Sequence, residues 1–199
     1  MEERLIRVGI THGDINGIGY EVILKTFSDI RIADLCTPII YGSSKIAAYH
    51  RKVLEMQPVN ISVINQAEDA GVNRINIINC ADEESKVELG KSTEIAGEAA
   101  FKALEAACND LKRGVIDVLV TAPINKHNIQ NDQFHFPGHT EYLEEVFGVS
   151  GKKALMILMS NNLRVALVTG HLPLSEVVQN ITKEDIGNKI SIEDYNKAC

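Results

Sequence analysis

Residues 93–120 read TEIAGEAAFKALEAACNDLKRGVIDVLV, and this stretch decides the fold. Ile95, Ala99, Ala103, Ala107 and Leu111 recur at i, i+4 spacing, and Ala96, Ala100 and Leu104 widen the stripe. That periodicity predicts an amphipathic helix over 93–113. Ser92 or Thr93 can cap its start, Glu94 and Glu98 suit the positive end, and Lys112-Arg113-Gly114 suits the other. The many alanines allow close packing on a sheet. Val115–Val120 follows at once, apolar on both faces except at Asp117. This pattern predicts a central strand of a parallel sheet. A long helix feeding such a strand is the unit of an α/β fold.

The same alternation extends in both directions. Leu5–Ile10 reads as a strand, followed by a turn holding Gly13, Gly17 and Gly19 and a helix from about Tyr20 to Ile30. Pro38–Tyr41 is a second strand, ended by Gly42. Ser43 or Ser44 then caps a helix running to about Glu55. Asn60–Ile64 and Arg74–Asn79 are further strands, and Ala81–Lys91 reads as a solvated loop. Downstream, Ala154–Met159 and Leu163–Val168 flank Ser160-Asn161-Asn162, which predicts a hairpin. A last helix begins at Thr182, with Asp185 in capping-box spacing, and reaches Cys199 without a terminating Gly or Pro. The expectation is a piece of a longer chain: a mostly parallel sheet with one antiparallel pair, a first lobe over 1–127, and the start of a second over 128–199.

Composition is that of a globular protein, with 199 residues, 45% hydrophobic and 24% charged, at a net charge of −7. No cluster of Lys and Arg appears, which argues against a nucleic-acid partner. Cys36, Cys80, Cys108 and Cys199 are far apart and form no Cys-x-x-Cys. The spacing favours reduced thiols over a metal or redox pair. The first residues lack a signal-peptide core, and no apolar run approaches the roughly 18 residues needed to span a membrane. A cytoplasmic protein without a membrane partner is expected.

In parallel α/β sheets ligands bind beyond the carboxyl ends of strands, near helix starts. Four turns occupy such places. The first, residues 11–21 (THGDINGIGYE), has the wrong glycine spacing for a Rossmann fingerprint and lacks the Lys-Ser/Thr of a P-loop. It is either a loop whose backbone N–H groups approach a ligand or a tight structural turn with Asp14 capping the next helix. The second, residues 121–127 (TAPINKH), offers Lys126 to an anion or to solvent. The third, residues 136–141 (FPGHTE), sets His139 and Thr140 at a helix start. There they suit a carboxylate or phosphate, or serve as a plain cap and a surface residue. The fourth, residues 168–174 (VTGHLPL), fixes His171 between a glycine and a proline. Such rigidity suits a metal ligand, yet metals take three or more protein ligands, and no partner in ligand spacing is evident. None of His12, His127 and His135 sits in an equally persuasive turn, and His50, between Tyr49 and Arg51, reads as a surface residue.

Taken in order, the four turns resemble the 4-hydroxythreonine-4-phosphate dehydrogenase family of pyridoxal phosphate biosynthesis. The segments that carry the resemblance are Gly13-Asp14 with Gly17-Ile18-Gly19 and Glu21, Thr121–Lys126, Gly138–Glu141, and Ala166–Leu174. His12 and Ile15 stand where the family often has proline, and Ala122 where it often has glycine. The resemblance implies an isocitrate/isopropylmalate dehydrogenase-like two-lobed fold, incomplete here, in a homodimer. It implies NAD or NADP as cofactor, bound without the Rossmann fingerprint, and a divalent metal (zinc, magnesium or cobalt). It further implies that His139 and Thr140 bind a small phosphorylated substrate and that His171 is one of three metal histidines. The other two, with several substrate-binding residues, belong to the family's later half. The implied reaction oxidises 4-phosphooxy-L-threonine and decarboxylates it to 3-amino-2-oxopropyl phosphate. No residue here is singled out as the catalytic one. Two alternatives remain beside it: a dehydrogenase of a phosphorylated sugar acid such as threonate or erythronate 4-phosphate, and an inert dimerisation or folding fragment. An acyltransferase on a related scaffold leaves the His171 turn unexplained.

Overall fold

The computed structural model describes residues 5–81, 85–148, 154–170 and 172–197. Strand β1 (Arg7–Thr11) leads through helix α1 (Gly19–Thr26) and a 3-10 turn, Ile30–Asp34, into β2 (Thr37–Gly42). Helix α2 (Ser44–Val53), β3 (Ile61–Ile64) and β4 (Ile75–Asn79) follow. The long helix α3 (Glu94–Lys112) then crosses to β5 (Val118–Thr121), and α4 (His139–Phe147) closes this part. All pairings in the five-stranded sheet are parallel, in the order β3-β4-β2-β1-β5.

One row of side chains shows where the core sits. Val63, Ile77, Ile40, Ile10 and Val120 are register partners across the five strands. Ile77, Ile40 and Ile10 are buried, under Ile23 and Phe27 of the α1 region and Ile46 and Ala47 of α2. The end members are open, Val63 at 57% and Val120 at 50% exposure. The opposite face, with Ile39, Tyr41 and Ile78, packs on Ala103 and Ala107 of α3. Truncating Ile39 or Ile40 to alanine would cost roughly 2–5 kcal/mol by the usual cavity rule.

Helix α3 is buried on two sides. Ala96, Ala99, Ala103 and Ala107 meet the sheet side. Phe101, Leu104 and Cys108 meet Ile129, Phe134 and Tyr142. Ile95, expected in the apolar stripe, is 50% exposed, and Phe101 takes its place in the core. Thr93 is the cap, its hydroxyl accepting from Ala96 N at 3.3 Å.

Two expectations are corrected here, the bounds of one strand and the place of one histidine. The strand expected over Val115–Val120 is β5, which begins only at Val118 and, among the described residues, pairs with β1. An apolar run records burial, and Ile116 supplies it before the strand begins, at 1% exposure, whereas Val118 and Val120 are open on one face. A first compact unit runs Met1–Phe147, in which Ile129, Phe134 and Tyr142 cover α3. His50, read as a surface residue, is 3% exposed, since it shares a helix face with Ile46 and Ala47.

The second unit, Gly148–Cys199, is smaller. Its β6 (Ile157–Ser160) and β7 (Leu163–Ala166) form the expected antiparallel hairpin, with Asn161 at φ 29° in the turn. A short α5 (Leu174–Val177) precedes α6 (Lys183–Lys197). The Thr182 hydroxyl accepts from Asp185 N at 3.0 Å, so α6 begins as the capping pattern predicts. No helix among the described residues is long and apolar enough to cross a membrane.

Candidate functional site

Three of the four turns meet at the carboxyl ends of β1 and β5. Thr11 and Thr121 are register partners, so the segments that follow leave the sheet side by side. Gly13 has φ +70°, and a Cβ there would run into the Pro123 carbonyl. Only glycine combines that backbone angle with that approach. Asp14 N then donates to Pro123 O at 2.9 Å, which joins the first two turns.

Asp14 and Asn16 of the first turn are committed to structure, whereas Thr11 Oγ1 and His12 Nδ1 are buried without a hydrogen-bond partner among the described residues. Asp14 Oδ1 accepts from Asn16 N at 2.8 Å, and Oδ2 accepts from Asn128 Nδ2 at 3.4 Å. Asn16 is buried and spends its amide on the loop before α3. Its Nδ2 donates to Lys91 O (2.9 Å) and Thr93 Oγ1 (3.0 Å), and its Oδ1 accepts from Glu88 N (2.7 Å). The segment read as a solvated loop is therefore partly a strap holding the first turn. The structural alternative for this turn is well supported, with one change: Asp14 closes its own turn and does not cap α1, whose start makes no side-chain capping bond.

Behind the turn lies a buried ring stack that sequence reasoning missed. His12, Tyr20 and His50 stack in series, with centroid separations of 5.2 Å at each step. Carbonyls fix the tautomers: His12 Nε2–H donates to Ala99 O at 3.2 Å, and His50 Nε2–H donates to Ile15 O at 2.8 Å. Burial holds His12 neutral, with its pKa lowered to about 4, and His50 is lowered in the same way. The Tyr20 hydroxyl donates to Ser43 O and accepts from Ser43 N, clamping β2's end. The spacing of His50 from Ile46 and Ala47 is the signal that could have revealed its burial.

The third turn is placed by aromatic packing. Tyr142 of α4 lies 5.3 Å from Phe134 and 6.0 Å from Phe101 of α3, centroid to centroid. This holds α4 so that His139 and Thr140 are its first two residues, as expected. Thr140 is exposed. His139 is half-buried, and its Nε2 is buried without a hydrogen-bond partner among the described residues. Its pKa is lowered, first by burial and then by the neighbouring Lys126 ammonium. Lys126 belongs to the second turn, so the second and third turns also meet. An imidazole kept neutral at a helix start can donate a hydrogen bond to an oxyanion without adding charge of its own.

The fourth turn belongs to the other unit, and His171 lies outside the described residues. Among the described residues no three His, Cys, Asp or Glu side chains converge to hold a metal ion. Cys36, Cys80 and Cys108 are free thiols; burial pushes Cys80 up to about 12 and Cys108 to about 11, which leaves them unreactive near neutral pH. A cleft of about 620 Å³ beside α2, lined by Lys45, Tyr49, Arg51 and Lys52 among others, shares no residue with the four turns.

Comparisons with known proteins agree with the turns. The family model described as pyridoxal phosphate biosynthetic protein PdxA matches residues 34–197. The 4-hydroxythreonine-4-phosphate dehydrogenase of Bacteroides thetaiotaomicron is 60% identical over 192 residues, covering 96% of this chain and 52% of that protein. An Oceanobacillus iheyensis protein, provisionally named a D-threonate 4-phosphate dehydrogenase, is 30% identical over 188 residues, covering 93% and 56% respectively. Among solved structures, a 4-hydroxythreonine-4-phosphate dehydrogenase from Burkholderia phymatum superposes with a TM-score of 0.82 at 28% identity, covering 95% of this chain and 57% of that one. The chain thus spans about half the length of the curated relatives it matches.

Proposed function

The chain belongs to the pyridoxal phosphate biosynthetic protein PdxA family, a family of dehydrogenases, and from that premise we propose that it carries one part of the substrate site of a 4-hydroxythreonine-4-phosphate dehydrogenase. The reaction is oxidation of the substrate alcohol with decarboxylation to 3-amino-2-oxopropyl phosphate. The observation that carries this reading is His139 Nε2, buried at the start of α4 with no hydrogen-bond partner among the described residues. A buried polar atom left unpaired costs roughly 1–3 kcal/mol, and a substrate oxyanion would relieve that cost.

In this reading His139 donates to the substrate's phosphate as a neutral imidazole. Thr140, exposed beside it, supplies a hydroxyl to the same group. The start of α4, like any helix N-terminus, favours negative charge. The strap through Asn16 holds the first turn to the loop before α3, and the Asp14–Pro123 hydrogen bond holds it to the second turn. A nicotinamide cofactor, NAD or NADP, would accept the hydride. The first turn lacks the glycine spacing of a dinucleotide cradle, so no residue described here is assigned to hold it. A divalent metal is part of the same proposal, with His171 as one of its ligands. The described residues do not form a metal site, and no step is assigned to a metal. The enzyme is taken to be a cytoplasmic homodimer.

The test is NAD(P)-dependent turnover by the full-length protein of 4-hydroxythreonine 4-phosphate and of threonate 4-phosphate. Preference for the first substrate is expected, because the 4-hydroxythreonine relative is twice as similar as the threonate one, 60% against 30% identity. Activity confined to the sugar acid would sink the reading and establish the second. Loss of turnover with retained fold in a His139→Gln variant is the matching expectation for the site.

A further inference from the structure

Lys126 sits where elementary electrostatics disfavours it. A Cβ built on Gly138 would stand 3.5 Å from Lys126 Cε and 3.8 Å from Nζ, so the ammonium lies against the residue that precedes α4. The N-terminal end of a helix carries about half a positive charge, so a cation there is repelled. An acceptor is available nearby but unused: Glu141 Oε2 is 3.6 Å from the same Cβ position, yet no carboxylate among the described residues comes within ion-pair distance of Lys126. The ammonium is solvent-exposed and the buried His139 Nε2 beside it has no partner. The chain holds this lysine in place through structure it shares with the site. Asn125 Oδ1 accepts from His127 N at 3.0 Å, and Gln130 Nε2 donates to Lys126 O at 3.3 Å and to Phe136 O at 2.8 Å, tying the second turn to the third.

A cation without an anion and an imidazole nitrogen without a partner lack the same thing. We propose that Lys126 is a further substrate-binding residue, whose ammonium holds the phosphate dianion of the substrate against His139 and Thr140. This rests on the reading that the substrate is a phosphate ester. The division of labour follows from the chemistry. Lysine supplies a compact charge whose direction is unconstrained, and the imidazole supplies one directed hydrogen bond. The charged groups at this corner are Lys126, from the turn after β5, and Glu141, on α4 itself.

Two measurements on the full-length protein test it, in wild type, Lys126→Gln and Lys126→Arg. The first is calorimetric titration with inorganic phosphate, which needs no turnover. Lys126→Gln is expected to weaken phosphate about tenfold or more, the worth of one charge-assisted contact, and Lys126→Arg to recover most of it. Melting temperatures of the three proteins are expected to agree, because Lys126 is exposed and makes no ion pair. The second is the split of Michaelis constants: Lys126→Gln is expected to raise KM for the phosphorylated substrate and leave that for NAD(P) unchanged. Equal phosphate affinity in wild type and Lys126→Gln, or no phosphate binding in wild type, overturns the proposal. A raised KM for the dinucleotide in place of the substrate also overturns it, by assigning the lysine to the cofactor's phosphates. Phosphate binding that depends on Lys126 in a protein that turns over neither phosphorylated substrate supports the lysine's role and sinks the reaction instead.

Discussion

His12 ties the stability of the fold to pH. It is fully buried, its Nε2–H is spent on Ala99 O, and its pKa falls from 6.5 to about 4. The unfolded chain therefore takes up a proton below about pH 6.5 that the folded chain refuses until about pH 4. Stability is full above the upper value and is lost as pH falls through this window. At roughly 1.4 kcal/mol per pH unit, the whole window is worth about 3 kcal/mol. Urea denaturation at about pH 7 and about pH 5 is expected to show the loss, and His12→Gln to flatten it. An unchanged pH slope in that variant would place the acid sensitivity elsewhere. His50, lowered in the same direction, adds to the same slope. His12 was not legible in the sequence as a core histidine, and His50 was legible only through its spacing from Ile46 and Ala47. His12 follows a strand and His50 is flanked by Tyr49 and Arg51, and both contexts also occur at surfaces.

At the scale of the element, α3 carries the argument. Its helical period was legible, and so was its cap, because both are local. Its second buried face was not, since Phe101, Leu104 and Cys108 acquire partners only when residues 129–142 fold over them. Gly97 marks the closest approach: a Cβ there would collide with the Asn128 backbone. Alanine in place of a mid-helix glycine ordinarily stabilises by about 0.5–1 kcal/mol. Here Gly97→Ala is expected to destabilise by about 1–3 kcal/mol, the range for overpacking. A thermal melt decides the sign. A rise in melting temperature would mean that the 124–129 turn yields easily and does not fix the position of Lys126. The late start of β5, at Val118, belongs to this scale as well. Residues 115–120 are apolar except at Asp117, and hydrophobicity alone does not distinguish one continuous strand from a buried lead-in at Ile116 followed by a shorter strand.

At the scale of the whole molecule, the sheet is covered unevenly. α1 and α2 shield its three middle strands on one face, and Val118 and Val120 at one edge are open, at 42% and 50% exposure. The homodimer proposed above is checked by light scattering on the full-length protein, with twice the chain mass expected. A monomer at micromolar concentration would remove the dimer from the proposal and leave the three-turn corner untouched, since all of its contacts lie within one chain. The class of fold and the family were determined by the sequence itself: alternating periodicities specify α/β, and four short turns in fixed order specify relatives. His139 and Thr140 opening a helix also followed from sequence, because Pro137-Gly138 and the following period are local signals. Only the tertiary structure decided which turns meet. Burial of His12, the strap from Asn16 to α3, and the arrival of Lys126 beside His139 all depend on contacts between residues far apart in the chain. Periodicity and capping report on neighbours a few residues away, and such long-range contacts leave no trace in them.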